Sequence, residues 1–214
     1  MQTPDNHQTI SACLRCGTCC KKGGPCLHDA DRVLVESGII PLADLWTIRV
    51  GEMVHDPITG TVCSTDDEII KINGRRNSPT CLYFDDTQHT CEIYLNRPLE
   101  CRILMCWDTR EIELAYHRNR LGRKTVLSSV VGIWDLIETH ETRCSVRRFI
   151  QLVRQMKSTP MPETNCQIQE MIAWDREIRQ LTIQKSGIDS AILTFLFGRP
   201  LTELKIQNSA QTGP

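Results

Sequence analysis

From about residue 108 onward, apolar positions recur with a helical period. Val126, Val130, Val131, Trp134 and Ile137 form one stripe, which the polar run 138–142 brings to an end. Phe149, Ile150, Val153 and Met156 predict a second helix over 146–156. Pro160 and Pro162 interrupt the chain. A third helix is then expected over 166–184, on Ile168, Met171, Ile172, Trp174, Ile178 and Leu181. A fourth, over 189–197, is nearly all apolar on one side and closes before Gly198.

The front half has a different pattern. Residues 13–26 read as a loop, because Gly17, Gly23, Gly24 and Pro25 all oppose regular structure. Val33, Leu34 and Val35 follow Asp29 and Asp31, which predicts a short helix over 28–37 with Gly38 just past its end. A second helical piece is expected over 42–50. In 52–72, β-branched residues flank the turn-rich stretch 56–60, predicting a hairpin with a further strand at 68–72. Asn73-Gly74 is a turn signal, 81–84 reads as another short strand, and 91–106 as a compact segment. The expected fold class is therefore α+β. A small cysteine-rich module with short strands (11–107) is followed by a helical layer of about four helices (108–204) that covers it or pairs in a dimer. The polar ends, 1–10 and 205–214, are expected to be flexible.

Composition narrows the function classes. A chain of 214 residues with 40% apolar and 24% charged residues suits one generous domain, or one domain with a helical extension. A formal net charge of −1 gives no global electrostatic case for nucleic acid or anionic lipid as a partner. The local basic clusters (Arg118, Arg120, Arg123, Lys124; Arg143, Arg147, Arg148) read as solvated helix faces. Residues 1–11 lack the apolar core of a secretory signal, and the most apolar stretch, 191–197, is far shorter than the ~20 residues of a membrane span. A cytoplasmic location is expected.

Against that background the twelve cysteines stand out. Ten fall in the first 106 residues, at 13, 16, 19, 20, 26, 63, 81, 91, 101 and 106, and only Cys144 and Cys166 follow. A reducing compartment disfavours structural disulfides, so dense cysteine points first to metal ligation or redox chemistry. Cys13-Leu-Arg-Cys16-Gly-Thr-Cys19-Cys20 has the spacing C-x2-C-x2-C-C. A C-x2-C turn folds back so that two thiolates and the loop amides face one ion, and Gly17 supplies the backbone freedom this needs. Four thiolates in eight residues can serve one centre or seed two; the alternative is buried, inert cysteine. Disulfide geometry disfavours a bond between the adjacent Cys19 and Cys20.

Cys81, Cys91, Cys101 and Cys106 are too loosely spaced to assert a site alone, but they match the first group in number. Ile93, Tyr94, Leu95, Ile103, Leu104, Met105 and Trp107 around them would form a dry shell suited to a sulfide cluster. Arg97 and Arg102 can offset thiolate charge or hold an anionic substrate, or can simply be solvated. Cys26 and Cys63 are expected to be buried and apolar, with extra ligation or a redox pair as alternatives. Cys144 and Cys166 are expected to be structural, and His28 and His89 are the only histidines placed to be ligands. No Walker loop, G-x-G-x-x-G, G-x-S-x-G or C-x3-C-x2-C pattern occurs.

Together these residues resemble the CxxCxxCC cysteine-cluster family of zinc- or iron-chelating domains. The match rests on Cys13-Leu-Arg-Cys16-Gly-Thr-Cys19-Cys20, then Cys81-Leu-Tyr-Phe-Asp, Cys91-Glu-Ile-Tyr94 and Arg97-Pro98-Leu-Glu-Cys101-Arg102, in the family's order. The resemblance implies a ligand set of Cys13, Cys16, Cys19, Cys20, Cys81, Cys91 and Cys101, with Cys106 as an eighth. Ile103-Leu104-Met105-Cys106 departs from the phenylalanine- and proline-containing pattern of the family at that point. The expected cofactor is iron–sulfur of the 4Fe–4S kind, with zinc as the alternative, since pure thiolate sites accept both. The expected role is redox, electron transfer or support of a protein partner. A metal-dependent modifying enzyme and a zinc-stapled interaction module are the alternatives. The flagellin lysine methylases look like distant relatives, but the helical half carries no methylase motif, so that link is analogy.

Overall fold

Residues 13–76 and 78–204 are described by a computed structural model. The terminal stretches 1–10 and 205–214, expected to be flexible, lie outside the described residues. The cysteine-rich loop closes in one helical turn, α1 (Thr18–Lys21), and a 3-10 turn at Asp29–Asp31 leads into α2 (Arg32–Glu36), with Gly38 left-handed just past it. Strand β1 (Leu45–Ile48) comes next, then β2 (Met53–His55), β3 (Val62–Ser64) and β4 (Ile69–Ile72). Two short strands, β5 (Phe84–Asp85) and β6 (Thr90–Cys91), form a tight hairpin. The helical part comprises α3 (Leu99–Ile103), α4 (Arg110–Ala115), α5 (Arg123–Val126), α6 (Ile133–Arg143), α7 (Val146–Ser158), α8 (Pro162–Ser186) and α9 (Leu193–Phe197). The class is α+β, with three two-stranded antiparallel sheets followed by helices. Among the described residues, no helix is long and apolar enough to cross a membrane.

Several expectations need correction. Residues 42–50 are not a helix: after a 3-10 turn at Leu42–Asp44 the chain extends as β1. Trp46, Thr47 and Ile48 favour an extended backbone, and β1 pairs with β4 from Leu45–Ile72 to Ile48–Ile69. The stripe read from Val126 starts too early, because the chain turns at left-handed Gly132 and leaves Val131 fully exposed. α6 ends at Arg143, next to the polar run 138–142 as expected, and His140 and Glu141 of that run find buried partners. α8 begins earlier than expected because Pro162 occupies the first turn, where its missing N–H costs nothing. Cys63 is exposed, since β3 lies in an uncovered surface hairpin, whereas Cys26 is buried as expected. Cys144 is buried at the end of α6, but Cys166 faces solvent near the start of α8 and packs against no core.

The main core crosses from one half of the chain to the other. Leu27, Ile70, Ile72, Tyr83 and Phe84 pack with Leu121, Ile137, Phe195 and Phe197. α9 lies against β1, and Thr47 Oγ1 donates to the Phe195 carbonyl at 2.7 Å. Each fully buried side chain of this size contributes roughly 2 kcal/mol of transfer free energy. A second cluster, including Phe149, Leu152, Ile168 and Met171, fills the space between α7 and α8.

Two buried charge networks fix the helices. Arg49 on the strand side donates to Glu141 at 2.8–3.0 Å and to the Cys144 carbonyl at 2.6 Å. Arg123 bridges Glu68 at 2.7 Å and Glu141 at 2.8 Å. Burial pushes the Glu141 carboxyl upward, but the two guanidiniums more than reverse this and hold it below the usual carboxylate range. In the second network, His140 Nε2 lies 2.7 Å from Asp175 Oδ1, which also accepts from Arg179 at 3.0 Å, while the Leu201 N–H donates to Oδ2 at 3.0 Å. His140 Nδ1 is buried without a partner. That arrangement suits a neutral ring with its proton on Nε2, and burial lowers the His140 pKa.

Glu141→Gln removes the charge shared by two buried guanidiniums and is expected to destabilise the fold by about 2 kcal/mol, measured by urea unfolding at neutral pH. The two buried histidines give opposite pH dependences. His140 is neutral when folded, so its contribution is present above pH ~6.5 and is lost as pH falls, because the unfolded state then gains a proton the native state resists. His28 is raised, chiefly by its hydrogen bond to Glu100, so its contribution is present below pH ~6.5 and is lost as pH rises through its folded value. His140→Gln should therefore flatten the loss of stability on acidification from neutrality, and His28→Gln should steepen it. The same pH slope in both variants would contradict this assignment.

Candidate metal centre

The first ligand-type loop is shaped by a turn that aims an amide at sulfur. The Arg15 N–H donates to Cys13 Sγ at 3.4 Å. Cys16 Sγ lies 3.3 Å from the Thr18 hydroxyl, a bond that favours the thiolate and lowers the Cys16 pKa. Gly17 (φ 76°) makes the first turn possible: a Cβ there would lie 2.2 Å from the Phe84 ring. The loop therefore rests directly on the β5–β6 hairpin, whose Phe84 pairs with Cys91.

Backbone bonds bring the two cysteine groups together. The Cys81 N–H donates to the Cys20 carbonyl at 2.8 Å, and Cys19 and Cys20 hold their sulfurs 4.0 Å apart. Cys101 sits on α3, which two buried carboxylates anchor. Asp31 accepts from the Leu99 N–H at 2.7 Å, and Glu100 accepts from the Cys26 N–H at 2.8 Å while reaching His28 Nε2 at 3.3 Å. The sequence reading missed Asp31 and Glu100. The signal for Glu100 was its place directly before Cys101.

The thiols feel one another. Burial raises the Cys101 pKa, and the charges of Cys81, Cys19 and Cys91 add to this. Cys81 is raised by burial and by the charges of Cys91 and Cys19, and Cys91 is raised by burial with Cys13 among its charge neighbours. The hydrogen bond between Cys19 and Cys20 divides that pair. Cys19 is lowered to about 6 and Cys20 is raised, with Cys101 and Cys81 also among the neighbours of Cys20. Cations are among the charge neighbours of these thiols: Lys22 for Cys19, Arg75 for Cys81 and Arg97 for Cys91. Cys13, Cys16, Cys19, Cys20, Cys81, Cys91 and Cys101 are thus linked pair by pair as charge neighbours, but among the described residues no three of them bring their sulfurs within 4.8 Å of one another. All are free thiols.

The remaining candidates lie elsewhere. Cys106 is exposed in a turn closed by the Met105–Asp108 bridge, and it is not among the leading charge neighbours of the other thiols. Cys26, with its pKa pushed up to about 11 by burial, lies 3.7 Å from Lys71 Nζ. His28 is bound to Glu100 and to the Arg118 carbonyl, and His89 stacks edge-on to Phe84. Arg102 lies 3.8 Å from Asp31, about half exposed. The sequence reading did not foresee a second buried trio of ligand type, His140, Cys144 and Asp175, with donor atoms within 4.8 Å of one another. Both Asp175 oxygens are already bonded there, and the guanidiniums of Arg49 and Arg179 are charge neighbours of the trio. A cation would meet two fixed positive charges, so the trio is a structural network.

A donor set of soft, uncrosslinked thiols fits zinc or an iron–sulfur cluster and suits a hard cation poorly. No curated protein and no solved structure matches the chain. A family model does match, over residues 12–119, and its description is "Putative zinc- or iron-chelating domain". With half its length matched, the chain belongs to the CxxCxxCC family of metal-chelating domains.

Proposed function

We propose that the chain is a cytosolic iron–sulfur protein that passes or senses electrons on behalf of a protein partner. Its ligands are drawn from Cys13, Cys16, Cys19, Cys20, Cys81, Cys91 and Cys101. The observation that carries this reading is the set of free thiols on a loop and a hairpin that the structure joins, with the Cys81 N–H on the Cys20 carbonyl, the Cys19 and Cys20 sulfurs 4.0 Å apart and the Arg15 N–H on Cys13 Sγ. Seven thiols exceed the four that one zinc ion takes, and they suit one or two clusters better. Tyr83, Phe84 and Ile93 supply apolar surroundings, while Lys22, Arg75 and Arg97 offset negative charge. A bound cluster would supply a one-electron couple; the chain's own residues hold it, exclude water and set its potential. Cys106 lies outside this set, and the helical half serves as the scaffold.

Protein purified without oxygen is expected to absorb broadly in the visible, to bleach with dithionite and to contain iron with acid-labile sulfide. Colourless protein with stoichiometric zinc would refute the redox role and leave a zinc-stapled module or a zinc enzyme. Protein with neither metal would refute the metal centre itself. Cys20→Ser and Cys101→Ser are expected to lose most of the bound metal, and Cys106→Ser and Cys63→Ser to keep it, as read by metal-to-protein ratio.

A further inference from the structure

Two guanidiniums share one aromatic ring beside the thiols. Arg15 stands 4.2 Å and Arg97 3.9 Å from the centroid of Tyr94, distances that place one cation on each face. Arg97 Nε also donates to the Tyr94 carbonyl at 3.0 Å, which ties that side of the stack to its own segment. Arg15 is different. It lies between Cys13 and Cys16 with φ 55°, a left-handed conformation that a non-glycine residue adopts at a cost, and the same residue's N–H points at Cys13 Sγ. Tyr94 in turn lies three residues after Cys91, which β6 pairs with Phe84. The ring therefore links the turn of Cys13 and Cys16 to the segment that follows Cys91.

We infer that the Arg15–Tyr94–Arg97 stack is a positioning clamp that holds the 13–16 turn against the 91–97 segment before metal arrives, so that affinity for metal depends on it. This rests on the proposed thiolate centre. The physical case is preorganisation. An exposed loop with a strained residue opens readily, and each ligand it carries must be reordered on binding unless a contact outside the coordination shell keeps it in place. Cation–π stacking supplies such a contact without consuming a thiol.

The test uses the reduced full-length chain and zinc alone, with affinity read by competition against a chromophoric chelator. Amide exchange at residues 15–17 is followed in the metal-free protein. Tyr94→Leu is expected to bind zinc about tenfold more weakly and to exchange those amides about tenfold faster. Tyr94→Phe, which keeps the ring face, should stay within about twofold of wild type on both readouts. Arg15→Gly relieves the left-handed backbone but removes one cation, so weakened binding in this variant supports the clamp, and unchanged or tighter binding overturns it. Wild-type affinity and exchange in Tyr94→Leu also overturn the clamp and leave the metal reading intact. Wild-type protein that takes up no zinc overturns the metal reading and the clamp with it.

Discussion

Thiolates repel one another, and this chain brings several of them into one partly buried neighbourhood. In such surroundings the charges of Cys19, Cys81, Cys91 and Cys101 cannot all be present without compensation, which is why burial and mutual charge raise Cys101, Cys81 and Cys20. The cations Lys22, Arg75 and Arg97 offset part of the cost. A soft metal would offset the rest, drawing the protons off as it binds. The Thr18 hydroxyl at Cys16 Sγ already favours the charged state of that sulfur.

The remainder of the fold keeps those segments in register. The cysteines lie on a loop, a two-stranded hairpin and one short helix, none of which would be stable alone. The loop lies flat on Phe84 because Gly17 has no Cβ, and α3 is held by the two buried carboxylates of Asp31 and Glu100. Phe84 itself belongs to the core that continues through β4 to Phe195 and Phe197 of α9. Arg49 and Arg123, clasping Glu141, attach α6 to the same strands. The helical half thus supports the thiol neighbourhood at one remove.

Much of this was legible in the sequence where the code is local. The C-x2-C-x2-C-C run, the turn around residues 56–60, β4 and the positions of α7 and α8 all follow from spacing and periodicity. β1 was not legible, because 42–50 has a mixed pattern and its extended form depends on pairing with residues 69–72. The end of α6 near 138–142 was legible from polarity, but the distant partners of that run, Arg49, Arg123 and Asp175, were not. The second cysteine group was legible in number but not in geometry. Tertiary bonds fix Cys81 against Cys20, Cys91 beside Phe84 and the helix of Cys101 to Asp31, whereas Cys106, five residues further on, is exposed. The anchoring role of Asp31 and Glu100 likewise emerges only in three dimensions.

The most direct test of a sulfur-lined metal centre is X-ray absorption at the edge of whatever metal the purified protein carries. The account predicts a first shell made of sulfur at about 2.3 Å, with no substantial nitrogen or oxygen contribution. For iron, a second iron scatterer beyond that shell should mark a cluster. A first shell dominated by nitrogen and oxygen would contradict it, because the thiols described here would then not be the ligands.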